Sequence, residues 1–84
     1  MARAKDLEKE LANERIEVDK GPIKATFNGA GELLRIRIDK ELVDPDEVDA
    51  LEDLIVGAVR DGFRQATDMR NARVQEIMPN IPGM

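Results

Sequence analysis

The sequence predicts an α+β fold: an α-β-β-β-α subunit with a three-stranded antiparallel sheet and a long C-terminal helix. Three observations carry this. Residues 33–39 alternate Leu34, Ile36 and Ile38 with Arg35, Arg37 and Asp39, the period of two that puts apolar side chains on one strand face. The turn segments Asp19-Lys20-Gly21-Pro22 and Asn28-Gly29-Ala30-Gly31 are too short to join strands in any way but as antiparallel hairpins. After Pro45 no proline recurs until Pro79, and Val48, Leu51, Ile55, Ala58 and Gly62 return at helical spacing.

Ala2 to about Asn13 reads as the first helix. Ala4, Leu7 and Leu11 form a narrow apolar stripe among Lys5, Glu8, Lys9 and Glu10. At about 1.5 Å per residue it is under about 20 Å long. Such a helix is marginal alone and must dock on something. Arg15–Asp19 follows as a strand with Ile16 and Val18 on one face, then Ile23–Asn28 with Ile23, Ala25 and Phe27, then Leu33–Asp39. One sheet face is aliphatic; the other collects Arg15, Glu17, Lys24, Thr26, Arg35 and Arg37.

Asp44 reads as the cap of the last helix, Pro45 as its first residue and Glu47 as the acid of a capping box. Continuous to about Ile77, that helix is about 50 Å long, against a diameter of about 30 Å for a globule of this size. It must overhang its domain or break. Arg73 falls in the angular sector held further back by Ala66 and Met69, which marks where the helix leaves the body. Gly57 and Gly62 each cost about 1 kcal/mol against Ala in a helix, a cost that close contact with a neighbouring element explains. Residues 1–78 read as a single domain and 79–84 as a flexible tail.

An 84-residue chain allows one domain with a modest buried fraction. Phe27 and Phe63 are its only aromatics, so the core is aliphatic. With no disulfide and no metal site, a second subunit is the expected source of further burial, and a homodimer is expected. There is no Cys and no His, which removes thiol chemistry, the usual zinc ligands and the usual neutral-pH proton shuttle. No stretch is long and apolar enough for a membrane span, and the N-terminus lacks the apolar core of a secretory signal. The cytoplasm is the expected location.

The net charge of −5 is unevenly placed. Residues 1–40 carry nine Lys/Arg against eight Asp/Glu, residues 41–58 seven acids and no base, and residues 59–84 four Arg against three acids. The acids Asp44, Asp46, Glu47, Asp49, Glu52 and Asp53 do not make a calcium loop. Counted from Asp44, the fifth, sixth and twelfth positions are Val48, Asp49 and Ile55, where an oxygen ligand, Gly and Glu are needed. They complement the dipole of a helix N-terminus instead. Asn28-Gly29-Ala30-Gly31 joins two strands and lacks the Gly-Lys-Ser/Thr of a phosphate loop, so it is a hairpin turn. No carboxylate pair stands out as a general acid and base. An enzyme is not expected, nor a cofactor or a metal.

The cations are more informative. Arg3, Lys5 and Lys9 lie on the first helix, Arg60, Arg64, Arg70 and Arg73 along the last, and Lys24, Arg35 and Arg37 on the polar sheet face. Phosphate binding needs such clusters and no aromatics, whereas stacking on single strands needs aromatics. A nucleic-acid partner, if there is one, is duplex, held by its backbone with weak sequence preference.

Phe27-Asn28-Gly29, Ile36-Arg37-Ile38-Asp39 with Leu42, Leu51-Glu52-Asp53-Leu54-Ile55-Val56 with Ala58-Val59, and the Met78-Pro79-Asn80-Ile81-Pro82-Gly83-Met84 ending together resemble the YbaB/EbfC family of nucleoid-associated proteins. The resemblance covers about residues 15–84. It implies a subunit dimerised through the sheet region with projecting helices, binding duplex DNA with little or modest sequence preference in nucleoid organisation or gene regulation. It places the DNA contacts on Arg3, Lys5, Lys9, Arg64, Arg70 and Arg73. The alternative is a protein-interaction module on the same fold with little or no DNA binding, suggested by the acidic block and the short first helix.

Overall fold

The computed structural model describes the backbone of residues 2–77 and the side chains of residues 6–76. Helix α1 (Ala2–Asn13) leads into β1 (Arg15–Lys20), β2 (Ile23–Asn28) and β3 (Leu33–Ile38), then a 3-10 turn (Lys40–Leu42) and helix α2 (Val48–Ile77). The tail expected at 79–84 lies outside the described residues. The strands lie side by side in chain order, all antiparallel.

The first hairpin turns at Gly21-Pro22, where Asp19 Oδ1 accepts from the Gly21 N–H at 3.1 Å. The second turns around Asn28. Its side-chain oxygen accepts from the Ala30 and Glu32 amides, both at 3.0 Å, and its amide nitrogen donates to Glu32 Oε1 at 2.7 Å. Asn28 is buried, yet every polar atom of its side chain has a partner. Gly31 closes the turn at φ +92°, a conformation that costs a side-chain-bearing residue steric strain.

Helix α2 lies across one face of β1 and β2. The core is Ile16, Val18, Ile23, Ala25 and Phe27 from the sheet with Ala58 and Ala66 from the helix. Small residues at 58, 62 and 66, one turn apart, let the helix come close. At Gly62 a Cβ would fall inside the Phe27 ring, so close contact explains this glycine as expected. Gly57 is different: only Lys20 Cε, at 4.0 Å, is near, and no contact requires a glycine there.

Three boundaries differ from expectation. Helix α2 starts at Val48, not Pro45. Asp44 does not cap it. Its side chain accepts from the Asp46 N–H and its carbonyl from the Glu47 N–H, each at 2.9 Å, so Asp-Pro-Asp-Glu closes on itself as a turn. Glu47 is then the residue whose carbonyl receives the first helical bond, from Leu51. Strand β1 runs one residue longer than expected, to Lys20. Strand β3 stops at Ile38, because Asp39 turns its carboxylate to the Glu41 N–H and caps the 3-10 turn.

The alternation in β3 is also broken. Arg35 faces Thr26 but Leu33 faces Phe27, an irregularity that takes Leu34 out of register. Ile36 and Ile38 stay on the face of Ala25 and Ile23. Because α2 covers β1 and β2 rather than β3, Leu33, Leu34 and Ile38 are exposed where an aliphatic core face was expected.

Helix α2 is continuous over 30 residues, about 45 Å. The molecule measures 56 × 25 × 13 Å, so the helix overhangs the sheet as its length requires.

Candidate nucleic-acid interface

Helix α1 runs beside the C-terminal half of α2 and is anchored at Leu11. Leu11 is fully buried, and its carbonyl accepts from the Gly29 N–H at 2.8 Å and from Glu14 N–H at 3.1 Å. Gly29 has no room for a side chain: a Cβ would stand 2.8 Å from Met69 Sδ and 2.9 Å from the Leu11 carbonyl oxygen. The second hairpin turn, α1 and α2 therefore meet at Leu11, Gly29 and Met69.

This docking places Glu8 and Glu10 of α1, and Glu14 just beyond it, on α2 cations. Arg70 donates from both terminal nitrogens to Glu8, Nη1 to Oε1 at 2.7 Å and Nη2 to Oε2 at 3.1 Å, a bidentate pair. Arg73 Nη2 donates to Glu14 Oε2, and Arg73 Nη1 is 3.6 Å from Glu10 Oε2. The hydrogen bond from Arg70 holds the Glu8 carboxyl below the usual carboxylate range, opposed by desolvation and aided by the Arg70 charge. The same bond pushes Arg70 up. Arg73 lies in the sector of Ala66 and Met69 because α1 meets it there; the helix has not left its own chain at that point.

The other expected site residues are placed less closely. Arg64 is exposed, and Lys9 is exposed on α1; neither is in an ion pair among the described residues. Arg3 and Lys5 belong to α1, and their side chains lie outside the described residues. The structure thus brings Arg70 and Arg73 together with α1 and leaves Lys9 and Arg64 in solvent. What sequence reasoning missed are Glu8, Glu10 and Glu14 as partners. The hydrogen-bonded pairs span 62 and 59 residues, and no local pattern signals them.

A separate ion pair, Lys20 Nζ to Asp61 Oδ2 at 2.6 Å, ties the first hairpin to α2. The hydrogen bond from Lys20 is the main cause that holds Asp61 below the usual carboxylate range, with the Lys20 and Arg64 charges adding to it. The acids of residues 41–53 sit at the start of α2 and before it. From Asp53 to Arg70 along the helix is about 25 Å, more than twice the Debye length of about 8–10 Å in physiological salt. The acidic block is electrostatically remote from the Arg70–Arg73 end. Among the described residues no group of His, Cys, Asp or Glu is arranged to hold a metal, and no helix is long and apolar enough to cross a membrane.

The fold matches a crystal structure of the uncharacterized protein HP0035 from Helicobacter pylori, with a TM-score of 0.81 at 22% identity, over 92% of this chain and 83% of that one. The nucleoid-associated protein THEYE_A1069 of Thermodesulfovibrio yellowstonii is 39% identical over 66 residues, 76% of this chain and 58% of that protein. A nucleoid-associated protein of Syntrophobacter fumaroxidans is 35% identical over 82 residues, 93% of this chain and 74% of that protein. One from Mycobacterium bovis is 38% identical over 71 residues, 82% of this chain and 53% of that protein. The chain thus spans little more than half the length of some relatives. The profile of the YbaB/EbfC DNA-binding family matches residues 1–81. With nearly the whole chain matched and the α-β-β-β-α order in place, the chain belongs to the YbaB/EbfC DNA-binding family.

Proposed function

We propose that the chain is a nucleoid-associated protein that binds duplex DNA by its phosphates, with little sequence preference, and acts as a homodimer in the bacterial nucleoid, in its organisation or in gene regulation. Membership of a DNA-binding family over residues 1–81 carries this reading. The contacts are assigned to Arg64, Arg70 and Arg73 on α2 and to Arg3, Lys5 and Lys9 on α1. A guanidinium has five N–H donors. Glu8 takes one from each terminal nitrogen of Arg70, and the remaining donors can meet phosphate oxygens. The mechanism is counterion release, and the reading gives the chain no catalytic step.

The dimer is assigned to the uncovered flank. Leu33, Leu34, Ile38, Leu42, Val56 and Phe63 are between 40% and 61% exposed, an apolar load that a small soluble subunit covers by association. Phe63 stands edge-on to Phe27, with ring centroids 5.3 Å apart, and extends the core toward that flank. β3 is also the sheet edge, with unpaired backbone groups.

The test is duplex retardation over a series of salt concentrations. The logarithm of affinity should fall linearly with the logarithm of salt, by about 0.9 per phosphate neutralised. Affinity unchanged between low and moderate salt would sink the mechanism. The protein-interaction reading has one observation in its favour: Arg70 and Arg73 are already paired with α1. It expects no retardation even at low salt.

A further inference from the structure

The face of the sheet turned away from α2 has nothing packed on it among the described strands and helices. The antiparallel register sets its rows. Asp19, Lys24 and Arg37 form one, and Glu17, Thr26 and Arg35 the next. Two cations, Lys24 and Arg37, are thus direct cross-strand neighbours, an arrangement that repels when nothing lies between them.

The acids of this face take hydrogen bonds from neutral donors, and none is in an ion pair among the described residues. Glu17 accepts from the Thr26 hydroxyl at 2.9 Å, Asp19 from the Gly21 N–H and Asp39 from the Glu41 N–H, both at 3.1 Å. Arg15 donates to the carbonyls of Ala12 and Glu14. Lys24, Arg35, Arg37 and Lys40 have no ion pair or side-chain hydrogen bond among the described residues. Lys24, Arg37 and Lys40 border an open recess of about 820 Å³ that Asp19 and Asp39 also line, three cations against two carboxylates. Arg35 and Arg37 are two residues apart on one strand, about 7 Å. Arg35 and Arg37 run along the edge strand β3, Lys24 stands beside Arg37 on the central strand, and Lys40 follows in the 3-10 turn, a spread of cations that a polymer of phosphates meets.

We propose that this bare sheet face is a second surface for the phosphate backbone of duplex DNA, carried by Lys24, Arg35 and Arg37 with Lys40 beside them. The inference rests on the DNA-binding reading above and deepens it. One subunit then offers two phosphate surfaces on different sides of the molecule, one at the α2 end and one on the sheet, and holds two duplex segments together.

The experiment is two-duplex capture by the full chain. One duplex is fixed on beads and a second, labelled duplex is recovered through the protein, beside retardation of a single duplex. Two variants are compared with the wild type: K24Q/R35Q/R37Q, and R64Q/R70Q/R73Q. The sheet variant should lose capture of the second duplex at salt concentrations where the wild type retains it. Each variant should still retard a single duplex, more weakly than the wild type, through the surface it retains. Wild-type levels of capture by the sheet variant would overturn the inference. So would a change in its salt-dependent self-association without any change in capture, which would assign the face to the acidic segment of a second copy. If the wild type retards no duplex at all, the DNA-binding reading fails first. If the sheet variant alone abolishes retardation of a single duplex, the molecule has one phosphate surface and not two, and the inference of a second surface falls.

Discussion

Glu8 grips Arg70 with both carboxylate oxygens, across 62 residues of chain. The pair joins the two elements to which DNA contacts are assigned, and it sets a contest. A phosphate that approaches Arg70 meets a guanidinium that already has an anion. Glu8→Gln removes that anion and keeps the side chain's size. Duplex affinity at moderate salt should rise, and the salt slope should steepen by about one unit as Arg70 becomes free for a phosphate. Retardation at several salt concentrations measures both. Weaker binding would show that α1 orders Arg70 for DNA rather than occupying it.

Stability should depend on pH through the same pairs. Glu8 and Asp61 are both held below the usual carboxylate range, first by hydrogen bonds from Arg70 and Lys20. The unfolded chain therefore binds more protons than the folded one in the interval between the two pKa values. These contributions are full above the unfolded values of about 4, and are lost as pH falls through the depressed folded ones. Thermal midpoints should drop below about pH 4. Asp61→Asn should flatten part of that drop, and melts at successive pH values check it.

Two glycines of α2 should respond in opposite ways to alanine. Gly57→Ala gains helix propensity with only Lys20 Cε nearby, so it should stabilise by about 0.5–1 kcal/mol. Gly62→Ala gains the same propensity but drives a methyl group into the fully buried Phe27 ring. Overpacking costs about 1–3 kcal/mol, and the net change should be destabilising. Urea unfolding of the two variants side by side decides it.

The apolar flank predicts the state of association. Ile38 is 48% exposed beside Leu42 on an uncovered edge. Ile38→Asp should leave the subunit folded and shift it to monomer at micromolar concentration, as read by light scattering. A wild-type monomer under the same conditions would remove the dimer from the proposal.

Much of this fold is legible in the sequence because its signals are local. The strands follow from alternation, the hairpins from Gly21-Pro22 and from Asn28 to Gly31, and the continuous α2 from spacing and absent proline. The start of α2 misleads because Asp-Pro at 44–45 serves a turn as well as a helix cap, and both satisfy backbone donors just after the proline. The break in β3 register is invisible because Leu33 and Leu34 are both apolar, so either satisfies the pattern. The candidate interface is half legible. Arg70 and Arg73 stand out as cations on a helix, but their pairing with Glu8 and Glu14 depends on where α1 folds back. That depends on one carbonyl at Leu11 and one missing side chain at Gly29.

That anchor makes α1 a lever. Its fulcrum is Leu11, near the C-terminal end, and the arm runs back to Ala2, about 14 Å at 1.5 Å per residue. A rotation of about 10° at the fulcrum would swing the tip by about 2.4 Å on an arm of that length. The stays that hold the arm are Glu8 on Arg70 and Glu10 on Arg73, partly solvent-exposed and weakened by added ions. Ionic strength then acts on the posture of the arm as well as on any DNA beneath it.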